Sequence, residues 1–197
     1  MIRTLDILLS FLGLVFLCPI MIIIAIIIKI ESKGKIIFTQ IRVGRNNCDF
    51  TLFKFRTMFI NSEPLGFLTI GSADRRITKI GRVLRKFKLD ELPQLLNVLK
   101  GDMSIVGPRP EVRKFVDHYS DNQMRILNLR PGITDYASII FKNENELLRN
   151  QLNPELFYIE KILPQKIALN FTFIDNPSII NYFSIIIKTI KAIFTKE

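Results

Sequence analysis

Two adjacent acids, Asp90 and Glu91, are accompanied by cations drawn from several stretches of the chain: Lys54, Arg56, Arg76, Arg85 and Arg109. Arginine forks and a divalent ion neutralise phosphate oxygens. A carboxylate that is ionised beside them can attack phosphorus, as in enzymes that pass through an aspartyl phosphate. The residue types therefore suit phosphoryl transfer. Neighbours on a helix project about 100° apart, so the two acids cannot do one identical job. One is expected to attack and the other to bind metal. Carboxylates beside arginines also serve as plain structural ion pairs, and spacing alone leaves that reading open.

The elements that must hold these groups can be read from periodicity. Leu92, Leu95, Leu96 and Leu99 keep the spacing of a helix with one buried stripe, ending near Gly101. Pro93 fits a first turn, which starts the helix near Lys88, Leu89 and Asp90. The acids then meet unpaired amides and the positive end of the helix dipole, where both should ionise easily. In Gly107-Pro108-Arg109-Pro110, two prolines stiffen the backbone around one arginine. Arg130-Pro131-Gly132-Ile133-Thr134 is a weaker case of the same device.

Residues 36–40 and 50–58 read as strands of a hairpin around the polar turn 44–49. Their two-residue period sets Phe53 and Phe55 on one face and Lys54 and Arg56 on the other. Residues 61–73 read as a loop that leads into a mobile basic segment, residues 74–82. Residues 178–194, rich in Ile and Phe, read as an amphipathic helix that either lies on a membrane or docks on the core.

Residues 7–28 form an apolar run without charge, with Cys18 and Pro19 in its middle. About 20 apolar residues in a helix cross a bilayer core, so a single span is the commoner fate of such a run. Proline removes a backbone hydrogen bond and predicts a break, which gives the alternative of a bent helix that returns to its own side. Arg3 before the run and Lys29, Lys33, Lys35, Arg42 and Arg45 after it put cytoplasm-type charge on both flanks. The rest, about 165 residues, suits one domain.

The formal net charge of +10 favours phosphates, anionic lipid or nucleic acid as partners. Two cysteines imply no disulfide framework, and the single histidine leaves no zinc pattern. Neither common glycine-rich nucleotide loop is present. Nucleic acid is disfavoured, because no recognition helix or RNA-module signature occurs.

Several strings carry a family resemblance: Lys54-Phe55-Arg56-Thr57-Met58, Asp74 to Thr78, Leu89-Asp90-Glu91-Leu92-Pro93-Gln94-Leu95, Asn97 to Ser104, and Val106-Gly107-Pro108-Arg109-Pro110. They resemble the bacterial sugar transferases, small monotopic polyprenyl-phosphate phosphoglycosyl transferases. The match runs from Arg3 and Asp6 to the C-terminal helix, without the extra N-terminal domain of larger members.

The resemblance implies an α+β fold: a re-entrant membrane helix (1–30) turning at Cys18 and Pro19, then a mostly helical cytoplasmic catalytic domain (31–197) with a small β-hairpin and interfacial amphipathic helices. It implies transfer of a sugar 1-phosphate from a UDP-sugar to undecaprenyl phosphate, with release of UMP. Asp90 would form a covalent phosphosugar intermediate, and Glu91, with Asp90, would hold Mg2+. Lys54, Arg56, Arg76, Arg85 and Arg109 would bind substrate phosphates. The setting would be the cytoplasmic face of a bacterial inner membrane, with membrane lipid and a homodimer among the partner expectations.

The chain departs from the family pattern at Cys18 (often Ser), at Arg75 (often Pro), at Lys88 (commonly a small hydroxyl residue), and at Asp135 and Tyr136. The alternative function is a membrane-anchored basic binding module, or an inactive scaffold of a glycan-assembly complex.

Overall fold

The uncharged run becomes the middle of one long helix, α1 (Ile2–Glu31), which is long and apolar enough to cross a membrane. Only 11% of its apolar window is buried, so it is not the core helix of a water-soluble domain. In this computed structural model, which describes residues 1–60, 74–175 and 178–195, the helix runs past Pro19 without interruption. The helix has no gap at the expected break. One missing hydrogen bond is outweighed by the turns on either side, and Cys18 and Pro19 are both exposed.

Both ends of α1 are tied to the same domain. Near the start, Arg3 donates to the carbonyls of Leu99 and Met103, each at 3.3 Å. Asp6 is buried and accepts from Ser104 Oγ (2.9 Å), the Ile105 amide (3.0 Å) and Tyr182 Oη (2.7 Å). At the far end, Ile24 and Ile28 pack with Phe55 and Leu84. Glu31 accepts from the amides of Lys79 (2.7 Å) and Ile80 (3.2 Å).

Strands β1 (Ile37–Val43) and β2 (Asp49–Phe55) form the expected antiparallel hairpin, with Ile37 opposite Phe55 and Val43 opposite Asp49. The loop expected over 61–73 lies outside the described residues. The segment after it is held rather than mobile. Asp74 pairs with Arg76, Ile77 bridges Met58, and Thr78 caps α2 (Lys79–Lys86) by accepting from the Gly81 amide at 2.9 Å. A Cβ at Gly81 would stand 2.2 Å from the Thr57 carbonyl oxygen, so only glycine lets α2 approach the backbone just after β2 this closely.

The acidic pair occupies a separate 3₁₀ turn, Leu89–Glu91, before α3 (Gln94–Lys100). Helix α3 ends at Gly101, whose φ of +99° is the left-handed cap the sequence signalled. Its leucine stripe is not its buried face. Gln94, Asn97 and Val98 are buried, whereas Leu96 is 43% exposed. The leucine side lies along α1: a Cβ placed on Gly13 would be 3.2 Å from Leu95 Cδ1. Asn97 turns inward because its amide stitches α3 to β2, donating to the Thr51 carbonyl (2.7 Å) and accepting from the Phe53 amide (3.0 Å).

A short parallel pair follows, β3 (Ser104–Val106) against β4 (Gly132–Thr134), with α4 (Arg113–Val116) and α5 (Asp121–Met124) in the crossover. Helices α6 (Tyr136–Ile140), α7 (Glu144–Arg149) and α8 (Pro154–Phe157) lead through a π turn, Tyr158–Ile162, into α9 (Leu163–Asp175). Helix α10 (Ile179–Phe194) closes the described fold. It is apolar on two sides: Tyr182 and Ile185 are buried, while Ile180, Phe183, Ile187, Ile190 and Phe194 form an exposed stripe at helical spacing.

Candidate active site

Asp90 and Glu91 are both buried, at 8% and 7% exposure, yet their surroundings differ completely. Glu91 is clamped. Its Oε1 accepts from Lys54 Nζ at 2.9 Å and from Arg109 Nη2 at 2.7 Å, and its Oε2 lies 3.4 Å from Arg109 Nη1. Burial alone would raise the Glu91 carboxyl, but the charges of Arg109, Lys54 and Lys88 outweigh that and hold it well below the usual carboxylate range. Asp90 has no such clamp. Its Oδ1 is buried without a hydrogen-bond partner. Burial, and then the charge of Glu91, raise its carboxyl above the ordinary value, against the smaller pull of Lys54, Lys88 and Arg85.

The sequence expectation that both acids ionise easily thus holds for Glu91 alone. The turn has too few aligned peptides to offset removal of Asp90 from water. The structural ion-pair reading and the chemical reading also separate here. Glu91 is the ion pair, and Asp90 is the acid with unused hydrogen-bonding capacity.

The expected cations converge only in part. Lys54, at the end of β2, reaches Glu91 as described, with Glu91's charge opposing the effect of its own burial. Arg109 is held by its prolines and by two backbone bonds of its loop, Arg109 N to Asp135 Oδ2 (3.0 Å) and Gly132 N to the Pro108 carbonyl (2.9 Å). Arg85, on α2, is half-buried, donates to Thr57 Oγ1 at 2.9 Å, and lies close enough for its charge to bear on Asp90.

Two cations lead elsewhere. Arg56 does not share a face with Lys54, because it follows the last residue of β2. It turns toward the end of α1, donating to the carbonyls of Lys33 (2.6 Å) and Ser32 (2.8 Å) and to Ser32 Oγ (2.8 Å). It ties the membrane helix to the hairpin. Arg76 is spent on a bidentate pair with Asp74, at 2.6 to 3.0 Å. Cys18 and Pro19 lie on the outer side of α1, well away in sequence from its buried anchors Asp6, Ser10, Ile24 and Ile28.

The structure adds residues that periodicity missed. Asp135 caps α6 through the Ser138 amide (2.6 Å) and also takes Asn170 Nδ2 (2.8 Å), so it fixes the Arg109 loop from behind. Glu111, next to Pro110, accepts from Tyr158 Oη at 2.5 Å and pairs with Lys166 at 3.5 Å. A lone acid after a proline gave no signal of this network. Lys88 adopts a left-handed conformation immediately before the acidic turn, and its carbonyl accepts the Glu91 amide at 3.3 Å.

Comparison with known proteins places the chain in a family. A family model described as "Bacterial sugar transferase" matches residues 1–196. UDP-N-acetylgalactosamine-undecaprenyl-phosphate N-acetylgalactosaminephosphotransferase of Aeromonas hydrophila is 40% identical over 164 residues, covering 80% of this chain and 38% of that protein. UDP-glucose:undecaprenyl-phosphate glucose-1-phosphate transferase of Caulobacter vibrioides is 32% identical over 199 residues, 99% of this chain and 70% of that protein. Exopolysaccharide production protein ExoY of Sinorhizobium fredii is 32% identical over 206 residues, 97% of this chain and 84% of that protein. The chain therefore spans well under half of the first of these relatives and most of the other two.

Proposed function

The chain belongs to the bacterial sugar transferase family, and on that premise we propose that it moves a sugar 1-phosphate from a UDP-sugar to undecaprenyl phosphate. The relatives' names specify such donors and this acceptor. The observation that carries the reading is the buried, unpartnered Oδ1 of Asp90 beside a turn ringed by Lys54, Arg85 and Arg109. A carboxylate left without a partner in a basic site is available as a nucleophile.

In the first step an Asp90 oxygen attacks the phosphorus that bears the sugar, the bond bridging the two phosphates breaks, and UMP leaves with that electron pair. In the second, a phosphate oxygen of undecaprenyl phosphate attacks the same phosphorus and the Asp90–phosphorus bond breaks. The product is undecaprenyl-diphosphate-sugar, and the free carboxylate returns. Glu91 holds Lys54 and Arg109 at fixed positions beside the reacting phosphates, and the prolines around Arg109 limit its movement. Aligning these cations before the substrate arrives lowers the reorganisation that charge transfer would otherwise require.

The donor set also fits magnesium. Among the described residues there is no cluster of three or more metal-binding side chains, and magnesium characteristically takes one or two carboxylates together with substrate phosphates and water. Asp90 Oδ1, which has no hydrogen-bond partner, and Glu91 Oε2, which takes only the 3.4 Å contact from Arg109, would hold it. When bound there, the ion neutralises charge on the diphosphate.

In this reading α1 is a re-entrant helix that bends near Cys18 and Pro19 without losing its continuity, and it holds the domain on the cytoplasmic face. Support comes from the ties at both of its ends to one domain, at Asp6 and at Glu31. Between Ser10 and Ile24 none of its residues is buried. The exposed stripe of α10 supplies a second apolar contact with lipid. In a background lacking Cys18 and Cys48, single cysteines near Arg3 and near Lys33 are expected to label from the same side of sealed vesicles. Labelling from opposite sides would mean an ordinary span.

The activity is tested by incubating the purified chain with magnesium, undecaprenyl phosphate and a panel of UDP-sugars. Release of UMP from at least one donor is expected. Release from none, with the protein folded, would favour the binding-module alternative.

A further inference from the structure

Lys88 has a backbone conformation that lysine rarely adopts, with φ +56° and ψ +20°. Crowding of Cβ there disfavours lysine relative to glycine, and strain of this kind gathers at functional sites. The side chain is exposed, and among the described residues its ammonium makes no hydrogen bond or ion pair. The neighbouring cations are already engaged: Lys54 and Arg109 with Glu91, Arg85 with Thr57, Arg56 with the end of α1, and Arg76 with Asp74.

The residues on either side of Lys88 indicate which phosphate it meets. Leu89 packs against the cluster in which Ile24 and Ile28 of α1 meet Phe55 and Leu84, whereas the Phe87 ring lies 6.4 Å from that of Phe194 on α10. Lys88 therefore stands between the two helices that expose apolar surface, and its charge acts on both Asp90 and Glu91. A phosphate carried on a lipid chain would arrive along those surfaces, whereas a nucleotide sugar comes from water.

We propose that Lys88 binds the phosphate of the membrane-borne acceptor and brings it to Asp90. This rests on the transferase reading above. Because the cation lies on a strained residue outside the clamp that holds Glu91, it can be removed without disturbing Lys54 or Arg109.

The test uses the full chain with a UDP-sugar that the parent turns over and undecaprenyl phosphate in detergent micelles. Lys88→Gly relieves the backbone while deleting the charge, so its melting temperature should equal or exceed the parent's. Its KM for undecaprenyl phosphate should rise roughly tenfold, the loss expected for one charge-assisted hydrogen bond. Its KM for the UDP-sugar should not move, and Lys88→Arg should recover most of the loss. An unchanged acceptor KM, or a rise in the donor KM instead, would overturn the assignment. If the parent releases no UMP from any donor, the transferase reading fails by itself. Direct binding of radiolabelled undecaprenyl phosphate to parent and Lys88→Gly then still judges Lys88, and equal binding would reject it.

Discussion

Asp90→Asn is expected to abolish UMP release, by a factor on the order of 10⁴ or more, while making the folded protein more stable. The two effects have one cause. Asp90 is buried with an unpartnered oxygen next to the charge of Glu91, so its ionised form is costly to keep folded and reactive for the same reason. Asparagine removes that charge and should gain about 1 kcal/mol, read as a melting temperature a few degrees higher.

The pH dependence has a definite sign. Asp90's carboxyl is raised in the folded state. Above the ordinary aspartate value the unfolded chain has released a proton that the folded chain still holds. Stability therefore falls as pH rises through that window. Parent and Asp90→Asn melting curves should converge below it and separate above it. The rate of the first step should climb over the same range as the nucleophile ionises. An asparagine variant that turns over like the parent, or melts lower across this range, would contradict the assignment.

Glu91→Gln is expected to do the opposite to stability and also to damage catalysis. Removing one partner of a buried pair leaves uncompensated charge, here on Lys54 and Arg109, at a cost of about 3 kcal/mol. Both cations keep some access to solvent, with side chains 18% and 29% exposed, which places the loss at the low end of such cases. UMP release should drop on the order of a hundredfold, because the cations lose the group that aligns them.

Glu91's depressed carboxyl contributes stability above the unfolded glutamate value and loses it as pH falls through the folded one. The acid limb of the parent's stability profile should therefore flatten in Glu91→Gln. Thermal denaturation in detergent across acidic pH measures this directly. A variant as stable as the parent at neutral pH would show that the clamp is dispensable.

How much of this could be read from the chain depends on what each signal assumed. The hairpin was legible because β1 and β2 alternate and flank a turn rich in Gly and Asn, where Asn46 and Asn47 do take positive φ. The end of α3 was legible because Gly101 caps it. The face of α3 was not. Periodicity assumes water outside and apolar packing inside, whereas here Leu96 points outward while Asn97 and Gln94 are buried. Helix α1 is inverted in the same way, with Asp6 and Ser10 buried and Phe11, Val15 and Phe16 exposed. Such inversion follows when the outer surface meets lipid and the inner one must satisfy backbone and polar groups.

The parallel pair β3–β4 left no trace, since three residues are too few for a two-residue period. Of the five cations the sequence singled out, the structure brings Lys54, Arg85 and Arg109 to the two acids, and spacing gave no sign that Glu91 alone is clamped. Charge can be counted along a chain. Which carboxylate Arg109 clamps depends on the Pro108–Pro110 loop, itself held by Asp135 from across the fold. Arg56 and Arg76 carried the same charge signal as Lys54, and the fold uses them to tie α1 and to close a turn.

Everything in the proposed chemistry turns on the bond between Asp90 and phosphorus. Incubating the enzyme with magnesium and a UDP-sugar labelled in the sugar, without lipid acceptor, and then mapping peptides by mass spectrometry tests it most directly. A sugar-phosphate adduct is expected on the peptide containing Asp90, discharged when undecaprenyl phosphate is added. An enzyme that turns over fully yet never carries that adduct would contradict it.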